Sequence, residues 1–267
     1  MRTVTTRAGV YAVLTDSAAV VPPVPDGDSG GVRWLRAAVA RFSNGDAHAR
    51  RRALVLSELV DIDEKSLCDK AFAWTRRIVA DAGPVLDVMT VIARRVPVGV
   101  LAEALGLPDV SADIAVVARA YHPHVEPGPA AEAALARLVE VCGGVADEHA
   151  AARIGLLIQA CDATAGLVAS ALLSGSIADA EPPVRSTRRV VGGEIVALDL
   201  AAAKLTFGAG AKECPGRGHA VALVMGILAA LRGFRVVPGE IGYEPSVNIR
   251  VPLSLPISRE SSVGGLC

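Results

Sequence analysis

Residues 207–216, FGAGAKECPG, are the part of this chain best suited to chemistry. Gly208 and Gly210 admit backbone conformations closed to other residues. A loop built that way can turn several N–H groups toward one atom, and the sulfur of Cys214 is the obvious one. Such donors stabilise a thiolate, as does nearby positive charge, which Lys212 supplies two residues upstream. Pro215 suits a helix start, and a helix beginning just after it would aim its positive end at the sulfur. A soft thiolate on a rigid loop suits iron or another soft metal.

Two further segments carry candidate groups. In residues 44–55, NGDAHARRRALV, His48 and Arg52 are four apart and share a face if the segment is helical. Two donors on one face suit a pair of carboxylates. In residues 156–174, LLIQACDATAGLVASALLS, Asp162 is a carboxylate in an apolar stretch, with Thr164 two positions on. Desolvation would raise the pKa of a buried acid there, which suits it to proton transfer near neutral pH, although a hydrogen-bonded structural role is equally open.

Helices must position these groups. Hydrophobic periodicity predicts helix over residues 32–59, interrupted at Ser43-Asn44-Gly45-Asp46, whose turn and capping chemistry starts a new helix near Ala47. Helices follow over 66–80, 85–105, 130–141 and 149–173, with breaks at Gly83-Pro84 and at 106–108 and a loop at 121–129. Residues 188–200 read as a hairpin around Gly192-Gly193, 206–218 as a glycine-rich loop, 219–231 as helix and 246–257 as an extended tail. The sum is a mainly α chain with a small β part. Residues 1–31 read as an N-terminal segment and loop, and 32–267 as a single domain.

Composition narrows the classes. Hydrophobic residues make up 52% of the 267, enough for a sizeable core, and the formal net charge of −1 argues against nucleic acid as a partner. The five cysteines are odd in number and form no CxxC pair, so neither a disulfide framework nor a zinc site is indicated. The N-terminus lacks a signal-like apolar run, and the reading is a reducing cytoplasm. Residues 154–173 could be mistaken for a membrane span, but Gln159 and Asp162 at the centre favour a buried core helix. His122 and His124 form an HxH pair across Pro123 that reads as exposed loop and not as a metal site.

The loop Phe-Gly-x-Gly-x-(basic)-x-Cys-x-Gly resembles the haem-binding loop of the cytochrome P-450 superfamily, with Phe207, Gly208, Gly210, Lys212, Cys214 and Gly216 all matching. Other segments resemble that family in the same order: 91–109 (VIARRVPVGVLAEALGLPD), the central helix at 156–174, 181–191 (EPPVRSTRRVV) and 246–257 (SVNIRVPLSLPI). The resemblance implies a P-450-like fold, haem b (iron protoporphyrin IX) as cofactor, and Cys214 as its axial thiolate. It implies that His48, Arg52, Lys212 and Arg188, with Arg189 as the near alternative, hold haem propionates. It gives Asp162 and Thr164 the distal proton-delivery role, although the family's acid and threonine are adjacent and here Ala163 separates them. Arg50 and Arg51 would be free to dock an acidic, ferredoxin-type redox partner.

The likeness has gaps. Only residues 175–180 separate the central helix from Glu181, where the family has two helices including a Glu-x-x-Arg motif, and only 201–204 stand in place of the family's meander. This is a shortened P-450-like chain, and apolar surface uncovered by the loss would favour a homodimer. The activity implied is a haem-thiolate oxidation of a small organic substrate, hydroxylation or a related tailoring step in bacterial secondary metabolism. Peroxide-driven oxidation and non-redox haem chemistry (dehydration, rearrangement, cyclisation) belong to the same class. The alternative is a non-catalytic helper that stabilises or activates a partner enzyme.

Overall fold

The computed structural model describes residues 1–27 and 30–260, so Cys267 lies outside the described residues. Nine helices among those residues carry the architecture: α1 (Arg7–Thr15), α2 (Val32–Ala38), α3 (Gly45–Leu59), α4 (Glu64–Ala80), α5 (Arg95–Ala104), α6 (Ser111–Ala120), α7 (Pro129–Val141), α8 (Glu148–Ser174) and α9 (Arg217–Ala230). Six short strands, β1 (Arg2–Val4), β2 (Val85–Asp87), β3 (Ser186–Val191), β4 (Glu194–Asp199), β5 (Phe234–Val236) and β6 (Pro256–Arg259), form two sheets ordered β1-β4-β3 and β2-β6-β5. The fold is mainly α with a small β part, as the pattern implies.

Local chemistry explains the main boundaries. Asp147 caps α8 by accepting from Ala150 N at 2.8 Å, and Gly175 ends it in the left-handed region at φ 85. The hairpin β3–β4 turns on Gly192 and Gly193, both at positive φ, as a tight two-residue turn requires. Asn44 is the N-cap residue of α3, but its side chain exchanges two 2.9 Å hydrogen bonds with the backbone of Val21 instead of capping.

Residues 85–105 depart from the single helix that periodicity predicts. Val85–Asp87 pairs with β6, a π-turn follows at Met89–Ala93, and only then does α5 begin. The Asp87 carboxylate takes N–H bonds from Met89 at 3.1 Å and Leu255 at 2.8 Å, so it anchors the strand pair and starts the next turn. The N-terminal segment is not separate from the rest. β1 runs parallel to β4, and Val20 bridges Val190, which builds residues 2–20 into the sheet that carries β3.

Helix α8 runs through the centre and is shared by two cores. Its first half packs with α2, α5, α6 and α7, and its second half with α4, α9 and the β6 region. It is the one helix among the described residues long and apolar enough to cross a membrane, and most of it is buried inside the protein, which accounts for its hydropathy. A third, small core joins Val10 and Leu14 of α1 to Val196, Leu198, Leu200, Leu205 and Ala209.

Candidate active site

The cysteine loop is held by its own backbone. Gly208 N donates to Leu205 O at 3.0 Å, Glu213 N to Gly210 O at 3.0 Å and Cys214 N to Phe207 O at 2.9 Å. Gly210 is doubly required: its φ is 70, and a Cβ there would lie 2.6 Å from Leu14 O. Gly216 is the N-cap residue of α9, and its N–H bonds the Cys214 sulfur. Phe207 is half-buried beneath the Arg217 guanidinium, 5.5 Å from its ring centre.

The side chain of Cys214 opens to solvent on one side and is walled by protein on the others. That desolvation pushes its thiol up, outweighing the pull of the Gly216 N–H and the Arg52 guanidinium in the other direction. The loop therefore does not present a ready thiolate, as its glycines and lysine suggest. The sulfur holds its proton near neutral pH, and a metal would have to displace it.

Three cations, Arg52, Arg189 and Lys212, gather with His48 beside this loop. Lys212 on the loop donates from Nζ to Ser43 O, and its pKa falls to about 8 through burial and the charges of Arg189 and Arg52. His48 on α3 is lowered by burial, then by Lys212, Arg52 and Arg189. Arg189 on β3 is only 5% exposed and lowered by burial and by Arg41, with Nη1 donating to Thr187 Oγ1 at 3.1 Å and Arg188 O at 2.8 Å. Among the described residues, no carboxylate forms an ion pair with His48, Arg52, Arg189 or Lys212. Like charges brought together under partial burial repel unless an anion joins them. A thiol ligand next to un-neutralised cations fits a group bearing a soft metal and carboxylates, as haem b does.

Strand alternation corrects one assignment. On β3, Arg188 is exposed, and Arg189 is the residue turned inward to the cluster. The sequence places two arginines in a row, and only the pairing register of β3 with β4 decides which faces in.

The distal candidates separate. Helix α8 is regular through 162–164, so Asp162 and Thr164 point roughly 200° apart. Thr164 is buried. Asp162 Oδ1 accepts from Arg94 Nε at 2.8 Å, and Arg94 Nη2 holds Glu244 Oε1 at 2.6 Å. The carboxylate thus faces a guanidinium. Arg94 and Glu244 escape a sequence reading because they sit 68 and 82 positions from Asp162, outside any local spacing.

One other expectation changes. Arg50 and Arg51 both bind Glu148 at 2.8 Å, and Arg51 Nη1 also donates to Ala37 O and Ser43 Oγ, so this pair is used inside the chain and is not free for a redox partner. His122 and His124 lie with ring centres 5.6 Å apart, His122 lowered by burial and Arg41, and no cluster of metal-binding side chains occurs among the described residues.

No family model matches the sequence, and no curated protein matches it. Solved structures do. P450BioI in complex with an acyl carrier protein ligated to hexadec-9Z-enoic acid superposes with a TM-score of 0.78 at 17% identity, the match covering 97% of this chain and 92% of the other. The chain has a cytochrome P450 fold. CalO2 matches with a TM-score of 0.78 at 17% identity over 96% of this chain and 90% of the other. A thermophilic P450 from Sulfolobus tokodaii matches at 0.74 and 14% identity, over 96% and 93%. In the P450 frame the chain is short at 267 residues, a truncated version of the architecture.

Proposed function

We propose that this chain is a haem-thiolate enzyme that oxidises a small organic substrate, by hydroxylation or a related tailoring step, in bacterial secondary metabolism. One observation carries the reading: three cationic side chains, Arg52, Arg189 and Lys212, stand with His48 beside the Cys214 loop, and no carboxylate among the described residues pairs with them. The P450 fold supports it. So do structural neighbours of related chemistry, among them CxnD, for C–S bond formation in chuangxinmycin biosynthesis, and CYP105P1 in complex with filipin I.

In this reading Cys214 would ligate the iron of haem b, and His48, Arg52, Arg189 and Lys212 would hold its propionates. Phe207 packs beside the sulfur, while Gly208, Gly210 and Gly216 let the loop backbone approach it. Haem bound there would supply the oxidising power. Asp162 is the distal acid. Arg94 fixes its Oδ1 and leaves Oδ2 without a protein hydrogen bond among the described residues, so Oδ2 is the atom that accepts and passes on a proton. Thr164 has no part in this, because it faces the core.

The chain works in the cytoplasm and associates as a homodimer. A groove of about 380 Å³ beside the second half of α8, lined by Leu173, Glu181, Tyr243 and Arg250, supports self-association, with exposed Leu173 and Leu253 nearby. A monomeric mass by light scattering at micromolar concentration would remove the homodimer.

The optical spectrum of the protein expressed with haem supply, reduced under carbon monoxide, tests the main reading. The expected result is the red-shifted Soret band for which P450s are named, abolished in Cys214→Ala. Absence of haem uptake would overturn the enzyme and leave the helper role as its replacement.

A further inference from the structure

Only residues 200–206 connect β4 to the cysteine loop, and this connection contains the one non-glycine residue at positive φ among the described residues, Lys204 at φ 52. A left-handed lysine has no glycine-like freedom and persists only where its surroundings hold it. Leu205 N closes the turn on Leu200 O at 2.9 Å. Among the described residues the carbonyls of Ala203 and Lys204 receive no backbone donor, and both accept from Arg7 Nη1, at 3.0 and 3.1 Å.

Arg7 opens α1, whose other end meets the loop on the far side of Phe207. The space that a Cβ on Gly210 would need is occupied by Leu14 O at 2.6 Å and Thr15 Cα at 3.1 Å. Between them, Val10 and Leu14 pack on Leu200, Ala203, Leu205 and Ala209. Helix α1 therefore grips the segment that carries Cys214 at two points, residues 203–204 and residue 210, and Phe207, whose carbonyl accepts from Cys214 N, lies between the two in sequence.

We propose that Arg7 is a positioning residue for Cys214: its guanidinium clasps the left-handed turn at 203–204 and so holds the cysteine loop closed around the sulfur. The proposal deepens the haem-thiolate reading by naming what fixes its ligand, and its test does not depend on haem. The Cys214 N to Phe207 O bond closes the same loop, so loosening the loop should be visible as access of a reagent to the sulfur.

The measurement is the rate of reaction of Cys214 with a small aromatic disulfide at one fixed pH, beside hydrogen exchange at Cys214 N, in the full chain before haem is added. Reaction of the other cysteines is subtracted with Cys214→Ser. Arg7→Ala should raise both rates about 3- to 10-fold. Arg7→Lys, which keeps the charge but reaches one carbonyl, should bring both rates part of the way back to wild type. Should Arg7→Ala fail to fold, Arg7→Lys and Arg7→Gln carry the comparison, because both retain a donor. Rates in the folded variants identical to wild type, whether or not the melting temperature falls, overturn the proposal. Raised rates in a protein that takes up no haem sink the haem reading and leave the clasp standing.

Discussion

Arg94 Nε lies 2.8 Å from Asp162 Oδ1, and this contact fixes the one acid in the middle of α8. The same guanidinium holds Glu244 at 2.6 Å, so one cation serves two carboxylates from α8 and from the chain leading to β6. Arg94 and Asp162 side chains are each 16% exposed and Glu244 is 27% exposed, enough burial for an orphaned charge to be costly. Arg94→Ala is expected to lower stability by about 3 kcal/mol, because it strands two carboxylates. Asp162→Asn should cost less, about 1–2 kcal/mol, since it removes a charge as well as a bond. Urea titration of the variants checks the order. Turnover in Asp162→Asn should fall while the carbon monoxide spectrum stays unchanged, separating proton transfer from haem binding.

Arg188 and Arg189 supply a clean internal control. They are adjacent and identical in type, but only Arg189 faces the cationic cluster. Losing one charge-assisted bond to a propionate costs about 1.5–3 kcal/mol, so Arg189→Ala should weaken haem affinity roughly 10-fold or more, and Arg188→Ala less than about 2-fold. Haem titration of both variants decides it. Equal effects would mean that the inward register of Arg189 has no bearing on the cofactor.

That pair also marks how far the sequence could be read. Short-range patterns were legible: the glycines and cysteine of 207–216, the face shared by His48 and Arg52, the turn at Gly192-Gly193, and the length of α8 all follow from local spacing. What escaped depends on pairings between distant segments. The side of β3 on which Arg189 lies is set by its register with β4, and Asp162's partner is supplied by residues far away in the chain. Residues 85–87 looked helical because their hydrophobicity fits either element. Pairing with β6, some 170 residues on, made them a strand. The spare-looking arginines Arg50 and Arg51 were solvent-facing by pattern, and Glu148 at the start of α8 claimed both.

Glu148 gives an acid-side prediction. Hydrogen bonds from Arg50 and then Arg51, against desolvation, hold its carboxyl at about 2, below the ordinary 4.5. Its folded pKa is depressed, so the stability it contributes is complete above about 4.5 and is lost as pH falls through 2. After screening at this partly exposed site the contribution is about 1–2 kcal/mol. Glu148→Gln should therefore lie below wild type at pH 6 and converge with it near pH 2 in denaturant titrations. A gap that persists at pH 2 would assign the effect to packing and not to charge.

Lys212 carries the opposite linkage. Its pKa is about 8 in the folded chain against an ordinary 10.5, because burial, Arg189 and Arg52 all disfavour its charge. Between those values the unfolded chain binds the proton and the folded chain does not, so stability rises with pH across this window. Below about pH 8 the lysine is charged in both states, and the fold bears the whole repulsion. Cys214 pulls the other way at high pH, since its thiol is raised in the fold, so the useful quantity is the difference between wild type and Lys212→Met. In haem-free protein that difference should shift in favour of wild type as pH climbs from 8 to 10.5. An anion in the cluster restores the proton to Lys212 while ligation displaces the one on Cys214, so near pH 8.5 haem binding should release less proton from wild type than from Lys212→Met. Denaturant titrations and haem titrations on the same pH series read both effects. A difference curve flat through this window, with the difference in haem affinity equally flat, would remove Lys212 from the site.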